Sequence, residues 1–167
     1  MARGARMWRH IITDHHSVRR IFTPEAMARI EQVIAATEKT HGGQVVFAVE
    51  SALPLARVHR KLTPRERALE VFGLLRVWDT EHNNGVLVYL LLADQDVEII
   101  ADRGIAHAAG DSRWRAICAD IERAAAAGRT VDGVIDGIRA SAKVIAERFA
   151  HDEAAGRNEL ADRPVLL

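Results

Sequence analysis

The sequence predicts an α/β fold, a three-layer α/β/α sandwich in which a small mixed β-sheet lies between helices. Three observations point there. Short apolar runs rich in β-branched residues alternate with longer segments of helical periodicity. Residues 85–92 (GVLVYLLL) are apolar on both faces, as a strand covered on both sides must be. A chain of 167 residues suffices for one sizeable core and hardly for two.

Each element has a local reason. Residues 8–22 mix Trp8, Ile11, Ile12, Val18, Ile21 and Phe22 with Asp14, His15, His16, Arg19 and Arg20, which suits a short helix or capping arm. Thr23-Pro24-Glu25 supplies an N-cap, a proline at the first helical position and an early acid; Met27, Ile30, Ile34 and Thr37 then recur every three or four residues. That helix is expected to end at Gly42-Gly43 in a left-handed exit. Residues 44–49 (QVVFAV) read as the first strand. Thr63-Pro64-Arg65-Glu66 is a capping box, and the helix it opens is expected to turn Ala68, Leu69, Phe72 and Leu75 inward. After residues 85–92, the turn Asp94-Gln95-Asp96 sends the chain back through residues 97–101 (VEIIA) as a hairpin. Two closing helices are expected: one from Asp111 or Ser112 to Ala127, burying Trp114, Ile117, Ile121 and Ala124, and one from Thr130 to Phe149, with Gly128 as the stop between them. The organisation is then an N-terminal helical arm over residues 1–21, the domain over 22–150, and a polar tail over 151–167 that is weakly ordered or ordered by a partner.

Composition argues against several functions. Lysine plus arginine equals aspartate plus glutamate at 23 each, so no global field recruits nucleic acid or an anionic membrane. A single cysteine, Cys118, rules out an intrachain disulfide and reads as a small core residue. Polar residues follow Arg3, Arg6 and Arg9 where a signal peptide needs an apolar core, and the longest apolar run is far short of the roughly 20 residues that span a bilayer. A cytoplasmic protein without membrane insertion is the expectation. No HExxH, glycine-rich phosphate loop, GxSxG elbow or zinc knuckle occurs.

Two clusters could carry chemistry. If Leu92 faces Val97 across the hairpin, Leu87 faces Asp102 and Gly85 faces Gly104. Asp79, Glu81, His82, Asn83 and Asn84 then meet Asp102 and Arg103 at one end of the sheet. Asp79, Asn83, Asn84 and Asp102 form an oxygen-rich set of the kind that holds calcium or magnesium. The competing reading is local: Asn83-Asn84-Gly85 as turn chemistry, and Asp102 paired with Arg103 or capping a helix near Ile105. The second cluster follows the strands at the other end, where Glu50, Ser51, Arg57 and His59 join Asp94 and Asp96, beyond the carboxyl ends of parallel strands. His15-His16 is a poor metal pair because sequence neighbours diverge on a helix. With Trp8, it and Arg19-Arg20 form a candidate partner surface.

The order of elements, residues 44–49, the segment 68–78, Asn83-Asn84-Gly85-Val86-Leu87-Val88 and residues 97–105 ending Asp102-Arg103-Gly104-Ile105 resemble the TPM domain family over roughly residues 22–150. The resemblance implies a mixed sheet between helices, and some members are described as calcium-binding or acid phosphatase domains of the thylakoid lumen or bacterial envelopes. Members typically carry an aspartate just before the first domain helix, where this chain has Arg19-Arg20-Ile21-Phe22-Thr23-Pro24; a glycine-aromatic-glycine strand ending is here Asp102-Arg103-Gly104. The resemblance therefore implies a binding or accessory module acting with a protein partner, such as a membrane-tethered relative. The alternative it carries is a metal-dependent phosphoesterase using calcium or magnesium.

Overall fold

The computed structural model describes residues 3–150 and 159–167. In chain order the elements are α1 (Arg3–Ile12), α2 (His15–Ile21), α3 (Pro24–Glu38), β1 (Gln44–Glu50), α4 (Leu55–His59), α5 (Pro64–Leu74), β2 (Gly85–Leu91), β3 (Asp96–Ala101), α6 (Arg103–Ala109), α7 (Asp111–Ala126), α8 (Thr130–Ala146) and β4 (Val165–Leu166). The sheet order is β3-β2-β1-β4. β1 runs parallel to β2 and to β4, whereas β2 and β3 form an antiparallel hairpin.

The pleat sorts side chains into two cores. Val45, Phe47, Val49, Val86, Val88, Leu90, Val97 and Ile99 face α3, α7 and α8; Val46, Ala48, Leu87, Tyr89, Leu91 and Ile100 face α5 and its flanking loops. Every residue of β1 and β2 is buried, as an interior strand pair requires, and this is the expected three-layer sandwich. The caps behave as their residues dictate: Thr23 accepts from Ala26 N–H at the start of α3, and Thr63 and Glu66 form the full capping box of α5.

Several expectations are corrected. The hairpin register is shifted by two residues, with Leu90 opposite Val97 and Leu87 opposite Ile100. Leu92 leaves the strand for a 3₁₀ turn over Leu92–Asp94, and Gln95, at φ 53°, closes it. A shift of two preserves the faces, so the cores are unaffected. Gly42-Gly43 is no left-handed exit. Gly43 is there for room, since a Cβ on it would stand 2.4 Å from Ile145 Cγ2. Of the residues expected to turn inward from α5, Ala68 is buried and Phe72 and Leu75 pack against the same core, but Leu69 is 51% exposed and Val71 takes the buried place. That helix stops at Leu74 because Leu75 and Arg76 (φ 54°) turn the chain. The last long helix ends at Ala146 rather than Phe149.

One element is not visible in the sequence pattern, and the expected helical arm is divided in two. Val165–Leu166, within the polar tail, pairs with Ala48 and Val49 and extends this chain's own sheet. Tail residues 151–158 lie outside the described residues. The arm is two helices: Asp14 caps α2, and α1 packs on α4 and on the 3₁₀ turn.

Candidate functional site

At the amino ends of β1 and β2 the two loops of the first cluster do meet. Gly104 N–H donates to Asn83 O at 3.0 Å, and Asp102 N–H donates to Gly85 O at 2.9 Å. Gly104 permits the approach: a Cβ there would lie 2.6 Å from Asn83 O and 2.9 Å from His82 O. The side chains, however, diverge. Asn84 follows the Val86 face and donates from Nδ2 to Gly42 O at 2.5 Å. Asp102 stands opposite Gly85, which abuts Val77 on the other face, and its Oδ1 accepts from Arg103 N–H at 2.6 Å as the cap of α6. Asp79 is exposed and paired with Arg76, and Asn83 takes φ 51° in the turn. Asn84 Oδ1 and Asp102 Oδ2 are each buried without a hydrogen bond, but they leave opposite faces of the sheet. Among the described residues no three His, Cys, Asp or Glu side chains are placed to hold a metal. Each member of the set Asp79, Asn83, Asn84 and Asp102 thus has a local role as well: pairing with Arg76, turning the chain, donating to Gly42 O and capping α6.

The carboxyl ends of the same strands are different. A cavity of about 550 Å³ opens between α1, the segment from α4 to α5, and the β2–β3 turn. Its walls include Met7, Val58 and Pro64, with Arg6, Lys61 and Asp96 among the polar groups. Three of the second-cluster candidates, His59, Asp94 and Asp96, line it. Glu50 does not. It is buried on the α5 face, where Oε2 accepts from Tyr89 Oη at 2.6 Å and Arg67 Nε at 2.8 Å, and Oε1 accepts from Arg67 Nη2 at 3.1 Å. Ser51 is also buried, its carbonyl accepting from Ala93 N–H, and Arg57 is paired with Glu70.

Asp94 anchors the arm over this end. Arg6 donates to it from Nε and Nη2 (2.8 Å) and to Leu62 O; Arg9 donates to Asp94 at 3.0 Å and to Ala93 O. His10 accepts from Leu53 N–H through Nδ1 at 2.9 Å, which leaves the ring proton on Nε2, 3.3 Å from Asp94 Oδ1. Burial alone would raise the Asp94 carboxyl, but the arginine hydrogen bonds outweigh it and hold it below its usual range; burial lowers His10 and keeps it neutral. The Asp96 carboxyl has an unpartnered, buried Oδ1, and burial, then Glu98 and Glu122, push it up to about 7. Cys118 stands apart, its thiol pushed up to about 12 by burial, so it is a poor nucleophile. Sequence reasoning missed Arg6, Arg9 and His10 as partners of Asp94. The signal was there, because spacings of three and four put them on one helical face.

Compared with known proteins, residues 17–144 match the family model for the TPM domain. The chain belongs to the TPM domain family. The NMR structure of BA42 protein from the psychrophilic bacterium Bizionia argentinensis is similar to this TPM domain at 25% identity and TM-score 0.76, covering 87% of this chain and 94% of that one. The solution structure of the N-terminal domain of a P. gingivalis protein shares the fold at 16% identity and TM-score 0.61, over 78% and 82% of the two chains. No curated protein matches the chain. The TPM match begins inside α2, so α1, which supplies Arg6, Met7, Arg9 and His10 to the cavity end, lies outside it. No helix among the described residues is long and apolar enough to cross a membrane.

Proposed function

We propose that this TPM domain is a binding or accessory module, acting with a protein partner such as a membrane-tethered relative, and that its ligand site is the cavity at the carboxyl ends of β1 and β2. The observation that carries this reading is the cavity itself, about 550 Å³ and within the usual range for small-molecule sites. Its chemistry suits a small ligand with an apolar body and one anionic group. Met7, Val58 and Pro64 offer apolar contact, while His59 and Lys61 place exposed cationic or proton-donating groups at the mouth. Asp96 adds a proton donor below about pH 7 and a repelling carboxylate above it, so affinity for an anion falls as pH rises through that value.

The rival reading, calcium- or magnesium-dependent phosphoester hydrolysis at Asp79, Asn83, Asn84 and Asp102, has less support because those side chains split across the sheet. The test is a titration of the full chain with anilinonaphthalene sulfonate, an apolar body with an anionic head, followed by fluorescence. Saturable binding that weakens about tenfold in Lys61→Glu, the loss of roughly 1.4 kcal/mol, supports the cavity reading. Binding indifferent to Lys61 sinks it. Calorimetry with calcium chloride runs beside it: heat that disappears in Asp102→Ala, together with hydrolysis of p-nitrophenyl phosphate, would establish the rival.

A further inference from the structure

The first helix is assembled inside out. Arg6, Arg9 and His10 make its inward face, tied to Asp94 and to the carbonyls of Leu62 and Ala93. Its outward face is apolar: Trp8, Ile11 and Ile12, spaced i, i+3, i+4, are 61%, 53% and 57% exposed. A soluble helix ordinarily has the opposite arrangement. The charge around this stripe is lopsided as well. The first 22 residues hold five arginines and one acid, Asp14, so in a chain of zero net charge the remainder is acidic. Asp14 is occupied as the cap of α2, and His15, His16, Arg19 and Arg20 beyond it are exposed.

We propose that this arm docks the domain on the surface of an anionic lipid bilayer, with Trp8, Ile11 and Ile12 entering the headgroup boundary and Arg19 and Arg20 meeting lipid phosphates. A convex stripe with an indole, followed by cations, matches an interfacial helix; indoles favour the boundary where one side is apolar and the other wet. Charge complementarity decides against a second copy of the chain. Pairing two arms stripe to stripe brings two exposed Arg19-Arg20 pairs toward each other, whereas an anionic surface attracts them. The neutrality of the whole chain is no obstacle, because fields act within a Debye length and the basic arm and acidic body point the molecule arm-first.

The test uses the full chain and sucrose-loaded vesicles of phosphatidylcholine alone or with about 30% phosphatidylglycerol, sedimented at about 50 mM and about 500 mM salt. Partitioning should be at least about tenfold stronger on the anionic vesicles and should fall about tenfold at high salt. Trp8→Ser/Ile11→Ser/Ile12→Ser should lose binding about tenfold with an unchanged circular dichroism spectrum, since all three side chains are exposed. Arg19→Gln/Arg20→Gln should lose the preference for phosphatidylglycerol while leaving weak binding to phosphatidylcholine. Wild-type protein left in the supernatant, or a triple serine variant that sediments as well as wild type, overturns the proposal. So does a dimer in light scattering that the triple variant dissolves, because the stripe's occupant is then a second copy.

Discussion

Replacing Arg67 with methionine leaves the Glu50 carboxylate in place without its counter-ion. Glu50 is 6% exposed, and its two oxygens accept two guanidinium hydrogen bonds and one from Tyr89, whose own side chain is fully buried. Methionine matches the length of the arginine stem, so packing changes little. What changes is that a buried negative charge keeps one neutral donor. Breaking a buried pair by removing one partner costs about 3–5 kcal/mol, whereas removing both partners is close to neutral. Arg67→Met should therefore destabilise by about 3 kcal/mol or more at pH 7, lowering the melting temperature by roughly 6–12 °C in a domain of this size. The double variant Glu50→Gln/Arg67→Met should recover more than half of that loss. The assay is urea unfolding of the four members of the cycle, followed by far-UV circular dichroism. Equal losses from Arg67→Met in the wild-type and Glu50→Gln backgrounds would mean that the cost is packing and not stranded charge.

Three further outcomes are expected. Gly85→Ala drives a Cβ to 2.0 Å from Val77 O and should cost at least about 3 kcal/mol in urea unfolding, while Gly73→Ala, which meets nothing, should cost none. Glu38 accepts from Val45 N–H, and burial raises its carboxyl to about 8, so the folded state keeps a proton that the unfolded chain has lost; the stabilisation this gives is complete below about pH 4.5 and gone once pH passes about 8. Glu38→Gln should consequently leave stability unchanged near pH 4 and raise it by about 1–3 kcal/mol near pH 9. Asp94 is held below its usual range, so its contribution is present at neutral pH and lost as pH falls through its lowered value; Asp94→Asn should mimic that loss and speed amide exchange in α1 about tenfold or more, with β2 unchanged.

The layers of the fold are legible because burial imposes pattern. Residues 85–91 have to be interior, and Thr23-Pro24 and Thr63-Pro64-Arg65-Glu66 start helices by chemistry confined to four residues. What escapes is set by distant partners. The register differs by two where Leu92 leaves the strand for the 3₁₀ turn, whose Asp94 meets Arg6 and Arg9, 88 and 85 residues away. β4 is two residues long, too short to announce itself by alternation. The meeting of the 82–84 and 102–104 loops follows from ladder arithmetic, and the two-residue slip keeps Asn84 beside it. Divergence of Asn84 and Asp102 is equally implicit in that arithmetic, since their positions fall on opposite sides of the pleat. The cavity is half legible: His59, Asp94 and Asp96 fall beyond the strand ends in the sequence, while the arm that roofs them reads only as a short helix or capping arm, with nothing local to join it to Asp94.

We propose that ligands bind at the carboxyl ends of the strands rather than at the loop cluster. The measurement that bears on it most directly is a ¹⁵N chemical-shift titration of the full chain, first with naphthalene sulfonate and then with calcium chloride. Saturable shifts at Met7, Lys61 and Asp96 with the sulfonate, and none at Asn84 or Asp102 with calcium, are the predicted result. Calcium-dependent shifts at Asn84 and Asp102, with Lys61 and Asp96 still under the sulfonate, would contradict it.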